Sequence, residues 1–281
     1  MSRTVFEESA LSRQDLLLDE FLNLAINRFT WDNLPKGLTS ERLEEMLITY
    51  GTLGAFKDEN DLLLILPLFG TNKVNIYNEH TDYRLVGFNG LEYTKSIDEI
   101  VKLKNNQLGT EDLSTLQLYA KKIDDIEQTQ DVNLFQQCIP KIIGTTKDSI
   151  LTAKNIIKQL KEHRFVIFTK AKGLEQQMKK EEILDNTVPF LLDKLSDYEN
   201  FYRNKVLTFL GINNANTDKR ERLITSEVEA NNDYIQINLD LMLDMRKRFC
   251  VEVNAKFGIN IKVEKRKVEN EESNNSENVR E

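Results

Sequence analysis

Few residues of this 281-residue chain are typed and spaced to do chemistry. The two cysteines, Cys138 and Cys250, lie 112 positions apart, and neither has a neighbour at metal-ligand spacing. That argues against a zinc site and against a disulfide framework. His80 and His163 stand alone, with no serine or cysteine nearby to suggest a nucleophile and its base. Asp124 and Asp125 are the adjacent carboxylates that a metal-dependent nuclease would want. Adjacent helix positions point to different azimuths, however, so the two cannot close on one ion. The phosphate-cradling Gly-x-x-x-x-Gly-Lys loop, the Gly-x-Gly-x-x-Gly turn and the Gly-x-Ser-x-Gly elbow are all missing. We therefore expect no enzyme, no metal and no cofactor. One charged cluster remains, Asp218-Lys219-Arg220-Glu221-Arg222. On its own it reads as a solvated charge run, with two acids interleaved among its three bases.

The overall balance points the same way. The formal net charge is −8, with 30% charged and 40% apolar residues. The apolar share is too high for a disordered chain. A protein that grips nucleic acid needs a basic excess to neutralise phosphates. An acidic surface suits a conduit that lets a polyanion pass. The longest apolar run, 62–69, is far short of the roughly 18 residues of a membrane span. Residues 1–20 carry Glu7, Glu8, Asp15, Asp19 and Glu20. They lack the basic-then-apolar pattern of a secretory signal, so we expect a chain made and kept in a cytoplasm.

The elements read as α+β. Apolar spacing predicts a helix over 11–29, ended by Trp31-Asp32-Asn33-Leu34-Pro35, with Trp31 packing the helix corner. A second helix over 40–50 is capped by Thr39 or Ser40, presents Leu43, Met46, Leu47 and Tyr50, and ends at Gly51. Residues 54–103 are β-rich, with strands over 62–66, 74–77 and 83–88. Asn89-Gly90 predicts a two-residue type I′ hairpin. A long helix follows over 111–137, with Leu113, Leu116, Ala120, Ile123 and Ile126 on one side and Lys121, Asp124, Asp125, Gln128 and Gln130 on the other. A strand over 139–143, a helix over 149–162 capped by Asp148 and a strand over 165–169 make a β-α-β insert, followed by polar 171–186. A second long helix covers 188–210, capped by Thr187, with Pro189 in its first turn and Gly211 at its end. Its face is Leu191, Leu195, Tyr198, Tyr202 and Phe209. The two long helices are expected to lie side by side, as a stalk with the insert as its head. A third helix over 233–257, facing inward through Leu241, Met245 and Phe249, ends at Gly258 and leads to a strand over 259–263. The charged 264–281 is expected to be a disordered tail.

Three stretches in order carry a resemblance. They are Phe29-Thr30-Trp31-Asp32-Asn33-Leu34-Pro35, then Val188-Pro189-Phe190-Leu191-Leu192-Asp193-Lys194-Leu195, then Thr208-Phe209-Leu210-Gly211-Ile212-Asn213-Asn214-Ala215-Asn216 running on through Lys219-Arg220-Glu221-Arg222-Leu223-Ile224-Thr225-Ser226-Glu227-Val228. Together they resemble the portal protein, the upper collar or head–tail connector, of small short-tailed phages with protein-primed DNA. The match runs over 11–263 and is strongest over 188–231. The resemblance implies a ring-forming portal fold, a dodecamer around an axial channel for double-stranded DNA at the capsid vertex of the virion. It assigns 1–10 to a flexible N-terminus, 11–110 to a wing with N-terminal helices and β-rich region, 111–137 and 188–211 to a helical stem, 138–187 to the clip, 212–232 to the tunnel loop and 233–263 to a wing helix and strand. Lys194, Lys219, Arg220 and Arg222 then face the DNA channel. Asn214, Asn216, Asp218, Glu221 and Asn231 belong to the tunnel loop. The implied partners are further copies of the chain, duplex DNA, the major capsid protein, the lower collar or tail protein and, transiently, the packaging ATPase. Two departures stand out. Asp185 occupies a position where the family has another channel lysine. Arg3 and Arg13 are offset by Glu7, Glu8 and Asp15, so packaging RNA is not an expected partner. A helical scaffold or adaptor with no DNA role is the rival reading.

Overall fold

The computed structural model describes residues 12–137, 143–145, 168–170, 189–213 and 225–266. The chain divides into two compact units, one of Met1–Ala120 with Asn204–Glu281, the other of Lys121–Arg203.

The first unit opens with α1 (Arg13–Ile26). Ser12 caps it, its hydroxyl accepting from the Asp15 N–H while the Asp15 carboxylate accepts from the Ser12 N–H. That reciprocal pair satisfies two otherwise orphaned donors. The helix stops at Ile26, short of the expected 29, because Phe29 belongs to strand β1 (Phe29–Asp32). The bulky Phe-Thr-Trp run favours a pleated, half-buried surface. It pairs antiparallel with β9 (Lys262–Lys265), Trp31 opposite Val263. The chain expected to be a disordered tail is therefore ordered through Arg266, whose N–H donates to the Arg28 carbonyl.

Helix α2 (Ser40–Tyr50) has Thr39 as its cap, as its sequence predicts. Gly51 ends it at φ +73°, and a Cβ there would meet the Gly109 carbonyl oxygen at 2.5 Å, so only glycine fits. Its face differs from the expected one at three positions: Tyr50 is exposed, and Glu44 and Ile48 are buried.

Five strands make an antiparallel sheet in the order β5-β4-β3-β2-β6. They are β2 (Thr52–Lys57), β3 (Leu63–Gly70), β4 (Asp82–Val86), β5 (Glu92–Ser96) and β6 (Val101–Lys104). β2 is buried on both faces. Leu53 and Ala55 join the main core with Leu43, Leu47, Leu103, Phe249 and Val253. Phe56 joins a second core with Leu68, Tyr83, Leu85 and Ile100. No strand forms over 74–77; only an isolated bridge joins Val74 to His80. The hairpin after β4 is also wider than its Asn-Gly pair predicts. The Gly90 N–H donates to the Gly87 carbonyl, and only Gly90 takes positive φ, at +84°. That is a type I turn closed by a left-handed glycine, where a type I′ turn needs positive φ at Asn89 too.

Helix α3 (Leu113–Gln137) buries Leu116, Ala120 and Ile123. Helix α4 (Leu192–Leu210) starts later than expected, so Pro189 precedes it and lies outside its first turn. Helix α5 (Thr225–Phe257) starts eight residues before the expected 233. Of the expected inward set Phe249 is buried, but Leu241 is 43% exposed and Met245 is half-buried, and Met242, Arg246 and Val253 complete the buried face. The difference follows from Arg246, a charged residue that the apolar pattern steps around.

Arg246 is fully buried. Its Nε and Nη2 donate to Glu44 Oε1 and Oε2 at 2.8 and 2.6 Å. Glu44 Oε1 also accepts from Trp31 Nε1 at 2.7 Å. The remaining Arg246 donors reach the Asn105 and Met242 carbonyls, and the Phe29 ring lies 4.3 Å from the guanidinium carbon. Beside it, Arg28 Nη2 meets Asp112 Oδ2 at 3.4 Å. Burial first, then the neighbouring Arg246 charge, lowers the Arg28 pKa to about 10, so it stays charged at neutral pH.

In the second unit, the C-terminal part of α3 and the N-terminal part of α4 run antiparallel. Arg203 bridges Glu127 and Glu199, and Gln130 donates to Glu199 Oε2. Asn133 donates to the Pro189 carbonyl and accepts from the Leu191 N–H. Strands β7 (Ile143–Thr145) and β8 (Phe168–Lys170) pair in parallel, as a β-α-β unit requires. The expected connecting helix over 149–162 with its cap Asp148, polar 171–186 with Asp185, the cap Thr187, the residues Cys138 and His163, and the tail beyond 266 lie outside the described residues.

The buried pair sets a test. Glu44→Gln leaves the Arg246 charge without its carboxylate and is expected to lower unfolding stability by about 3–5 kcal/mol. Urea denaturation followed by circular dichroism measures this, and a loss under about 1 kcal/mol would contradict the role given to the pair.

Candidate functional site

Of the residues singled out from the sequence, Lys194 is described in full. It is exposed, two residues past the start of α4. Position on the helix defines its surroundings. At about 100° per residue, Asp193, Asp197, Asn200 and Asn204 form one outward strip. Tyr198 and Phe201 form another and are 61% and 48% exposed. Lys194 sits within the aromatic strip, about 20° from Phe201 and about 40° from Tyr198, and about 60° from Asp197. The side facing α3 is different again: Val206 and Leu210 are buried there, and Tyr202 lies under Lys122 Nζ at 5.4 Å. The helix thus has an inward apolar side, a polar acidic strip and an aromatic strip.

Asn214, Asn216, Asp218, Lys219, Arg220, Glu221 and Arg222 lie outside the described residues. Asn231, expected in a loop, falls within helix α5. The outward side of α3 carries Lys121, Asp125 and Gln128, all exposed, as the sequence predicts. Asp124 accepts from Gln128 Nε2, four residues on, at 2.8 Å. No group of three potential metal ligands occurs among the described residues, and no described helix is long and apolar enough to cross a membrane.

Two other candidates for chemistry are occupied by structure. The His80 ring Nδ1 lies 2.6 Å from the Thr71 carbonyl and its ring packs edge-on against Tyr83. Cys250 is buried on α5 within the main core, and burial pushes its thiol pKa up to about 11. A neutral, enclosed thiol is a poor nucleophile.

A family model decides the wider identity: that of the Phage Connector (GP10) matches residues 14–269. The chain belongs to the phage connector family. Among solved structures, a chain in the portal and tail of native bacteriophage P68 is similar, with 14% identity over 92% of this chain and 87% of that one and a TM-score of 0.48. Membership makes this chain a head–tail connector of the virion, a structural role. Trp31 and the antiparallel helices α3 and α4 fall within the matched span.

The residues that hold this connector subunit together were harder to find than those on its surface. Glu44 sits beside Leu43 and Arg246 four residues after Met242, each inside an apolar stripe. A charge in such a stripe is a signal of a buried pair, but its partner lies 202 residues away.

Cys250 yields a pH test. Its folded pKa is raised above the ordinary 9.0, so the stability that its neutral thiol supports is present below pH 9 and is lost as pH rises through about 11. In a Cys138→Ser background, stability is expected to fall more steeply over that window than in the same chain with Cys250→Ala. Matching pH profiles would contradict this. The native thiol is also expected to stay unmodified by an aromatic disulfide reagent at pH 8 until the protein unfolds.

Proposed function

We propose that this connector closes into a ring, a dodecamer by family resemblance, around an axial channel through which double-stranded DNA enters and leaves the capsid. The match to the connector family over residues 14–269 carries the reading. Two physical features support it. The subunit exposes more large apolar side chains than it needs, among them Leu118, Val132, Tyr198 and Phe201 on the long helices. Such surface marks contacts with other protein, and head-to-tail contacts that close on rotation give rings. The acidic net charge of −8 suits passage, since a basic channel would retain the duplex.

In this proposal 111–137 and 188–211 form the stem, 138–187 the clip and the β-rich region the wing. The strip of Asp193, Asp197 and Asn200 turns toward the duplex, with Lys194 about 60° round the helix from Asp197, and Tyr198 and Phe201 turn toward the neighbouring copy. The segment containing Asn214, Asn216, Asp218 and Glu221, with Lys219, Arg220 and Arg222, touches passing phosphates briefly. Asn231 lies in helix α5 and is left out of that loop. The wing meets the capsid protein, the clip meets the lower collar or tail protein, and a separate packaging ATPase docks on the clip during filling. Assembly takes place in the host cytoplasm before the ring is built into the virion.

Native mass spectrometry and negative-stain imaging of the purified chain test this. Closed rings with a central hole are expected at micromolar concentration. A monomer, or a dimer without a hole, under every salt condition would support a helical adaptor and overturn the proposal. Replacing Lys219, Arg220 and Arg222 together by alanine is expected to keep the ring and to lower the salt dependence of its weak duplex retention. Unchanged salt dependence would remove those residues from the channel.

A further inference from the structure

Two of the three most exposed large apolar side chains among the described residues stand on one rigid turn. Ile76 is 90% and Tyr77 78% exposed, at the tip of the connection between β3 and β4. The turn is held by its own backbone. The Asn75 N–H donates to the Glu79 carbonyl at 2.8 Å, and the Asn78 N–H to the Asn75 carbonyl at 3.0 Å. The Asn75 Oδ1 accepts from the Tyr77 and Glu79 N–H groups at 2.9 and 3.0 Å. At its base the Thr81 N–H donates to the Lys73 carbonyl, and Lys73 Nζ pairs with Asp82 at 2.6 Å. A projection already ordered loses little entropy on binding. Two large apolar groups held in water by such scaffolding are a docking feature.

The same unit holds a receiving cleft. Leu24, Ile212 and Leu239 line a cavity of about 730 Å³ between α1, the end of α4, α5 and β9. That volume lies in the range of about 300–1,000 Å³ that takes a drug-sized ligand, enough for two large side chains. A polar small molecule would need free convergent polar groups, and the rim has committed its own. Lys265 pairs with Asp240, Arg266 Nη1 donates to Asn27 Oδ1, and Arg28 pairs with Asp112. The rim still carries the positive charges of Lys265 and Arg266, beside the carboxylate of Glu20, and the turn carries exposed Glu79 next to its tip. The two surfaces lie apart within the unit. β3 and β4 are the second and third strands from β6, and β6 packs on α5. Strand order sets the turn two strands away from the β6 side of its own sheet, and a head-to-tail contact between copies can bring such separated surfaces together.

We infer that the Ile76–Tyr77 turn of one copy seats in the apolar cleft between α1 and α5 of the next, with Glu79 facing Lys265 and Arg266. The inference rests on the ring reading and names which surfaces mate within it.

The test uses the full chain. I76D/Y77D changes only exposed side chains, so its circular dichroism and melting are expected to match the parent. The concentration at which rings form is expected to rise at least about tenfold, equivalent to about 1.4 kcal/mol per contact. In a chain with Cys138→Ser and Cys250→Ala, adding Tyr77→Cys and Leu24→Cys is expected to give a ladder of disulfide-linked multimers on mild oxidation. Rings that form at the parent's concentration with I76D/Y77D, and no ladder, overturn the inference and leave the ring reading intact. Cross-linking of Leu24→Cys to Ser273→Cys in place of Tyr77→Cys assigns the cleft to the chain's own C-terminal segment and also overturns it. A parent that forms no ring removes the reading beneath it.

Discussion

A single buried ion pair ties together segments that are far apart in sequence. Glu44 on α2 and Arg246 on α5 meet in the core through two short, parallel hydrogen bonds. Trp31 on β1 and Asn105 after β6 complete their bonding. Taking both charges out of water is costly, and the geometry recovers that cost only if each donor and acceptor is met. Among the described residues no buried side-chain nitrogen or oxygen is without a partner. The consequence is register. α5 can rotate only so far before Arg246 loses Glu44, and β1 can pair with β9 only where Trp31 reaches the same carboxylate. Arg28 and Asp112 extend the constraint to the start of α3, and the Arg28 guanidinium reaches the Leu210 carbonyl at the end of α4. Both long helices that leave this unit are thus anchored to its charged core.

That dependence explains which parts of the fold were legible in the sequence. α2 was readable because its cap, its apolar spacing and its closing glycine are all local. The parallel β7–β8 pair was readable in part: the expected strands over 139–143 and 165–169 overlap the observed ones at Ile143 and at Phe168 and Thr169. β1 was not, because Phe29 continues the apolar stripe of α1 and only a partner strand 233 or more residues on makes it a strand. The inward face of α5 was read correctly at Phe249 and missed at Met242 and Arg246 for a related reason: Arg246 looks like a surface residue until Glu44 is seen. The Asn89-Gly90 pair marked its hairpin correctly but not its width, since Gly87 joins the turn. At the candidate site, the exposure of Lys194 could be expected from an amphipathic helix. Its place between Phe201 and Tyr198 on the helix surface emerges only when the α3-facing side of α4 is known.

The surface chemistry suits a protein that handles a polyanion without holding it. Lys194 is bordered by Asp193 and Asp197, and α3 presents Asp125 close in sequence to Lys121. Mixed signs at this spacing leave little net attraction beyond a Debye length of about 10 Å. The apolar excess lies elsewhere, on Tyr198 and Phe201 and on the rigid turn at Ile76 and Tyr77. Separation of the two kinds of surface fits the proposal that one subunit binds its neighbours firmly and a moving duplex weakly.

A cryo-electron microscopy reconstruction of the assembled full-length chain tests this account most directly. It predicts a closed ring whose hole is lined by Asp193, Asp197 and Asn200, with Tyr198 and Phe201 covered by the adjacent subunit. A particle with no hole, or a hole lined by those two aromatic rings, would contradict it.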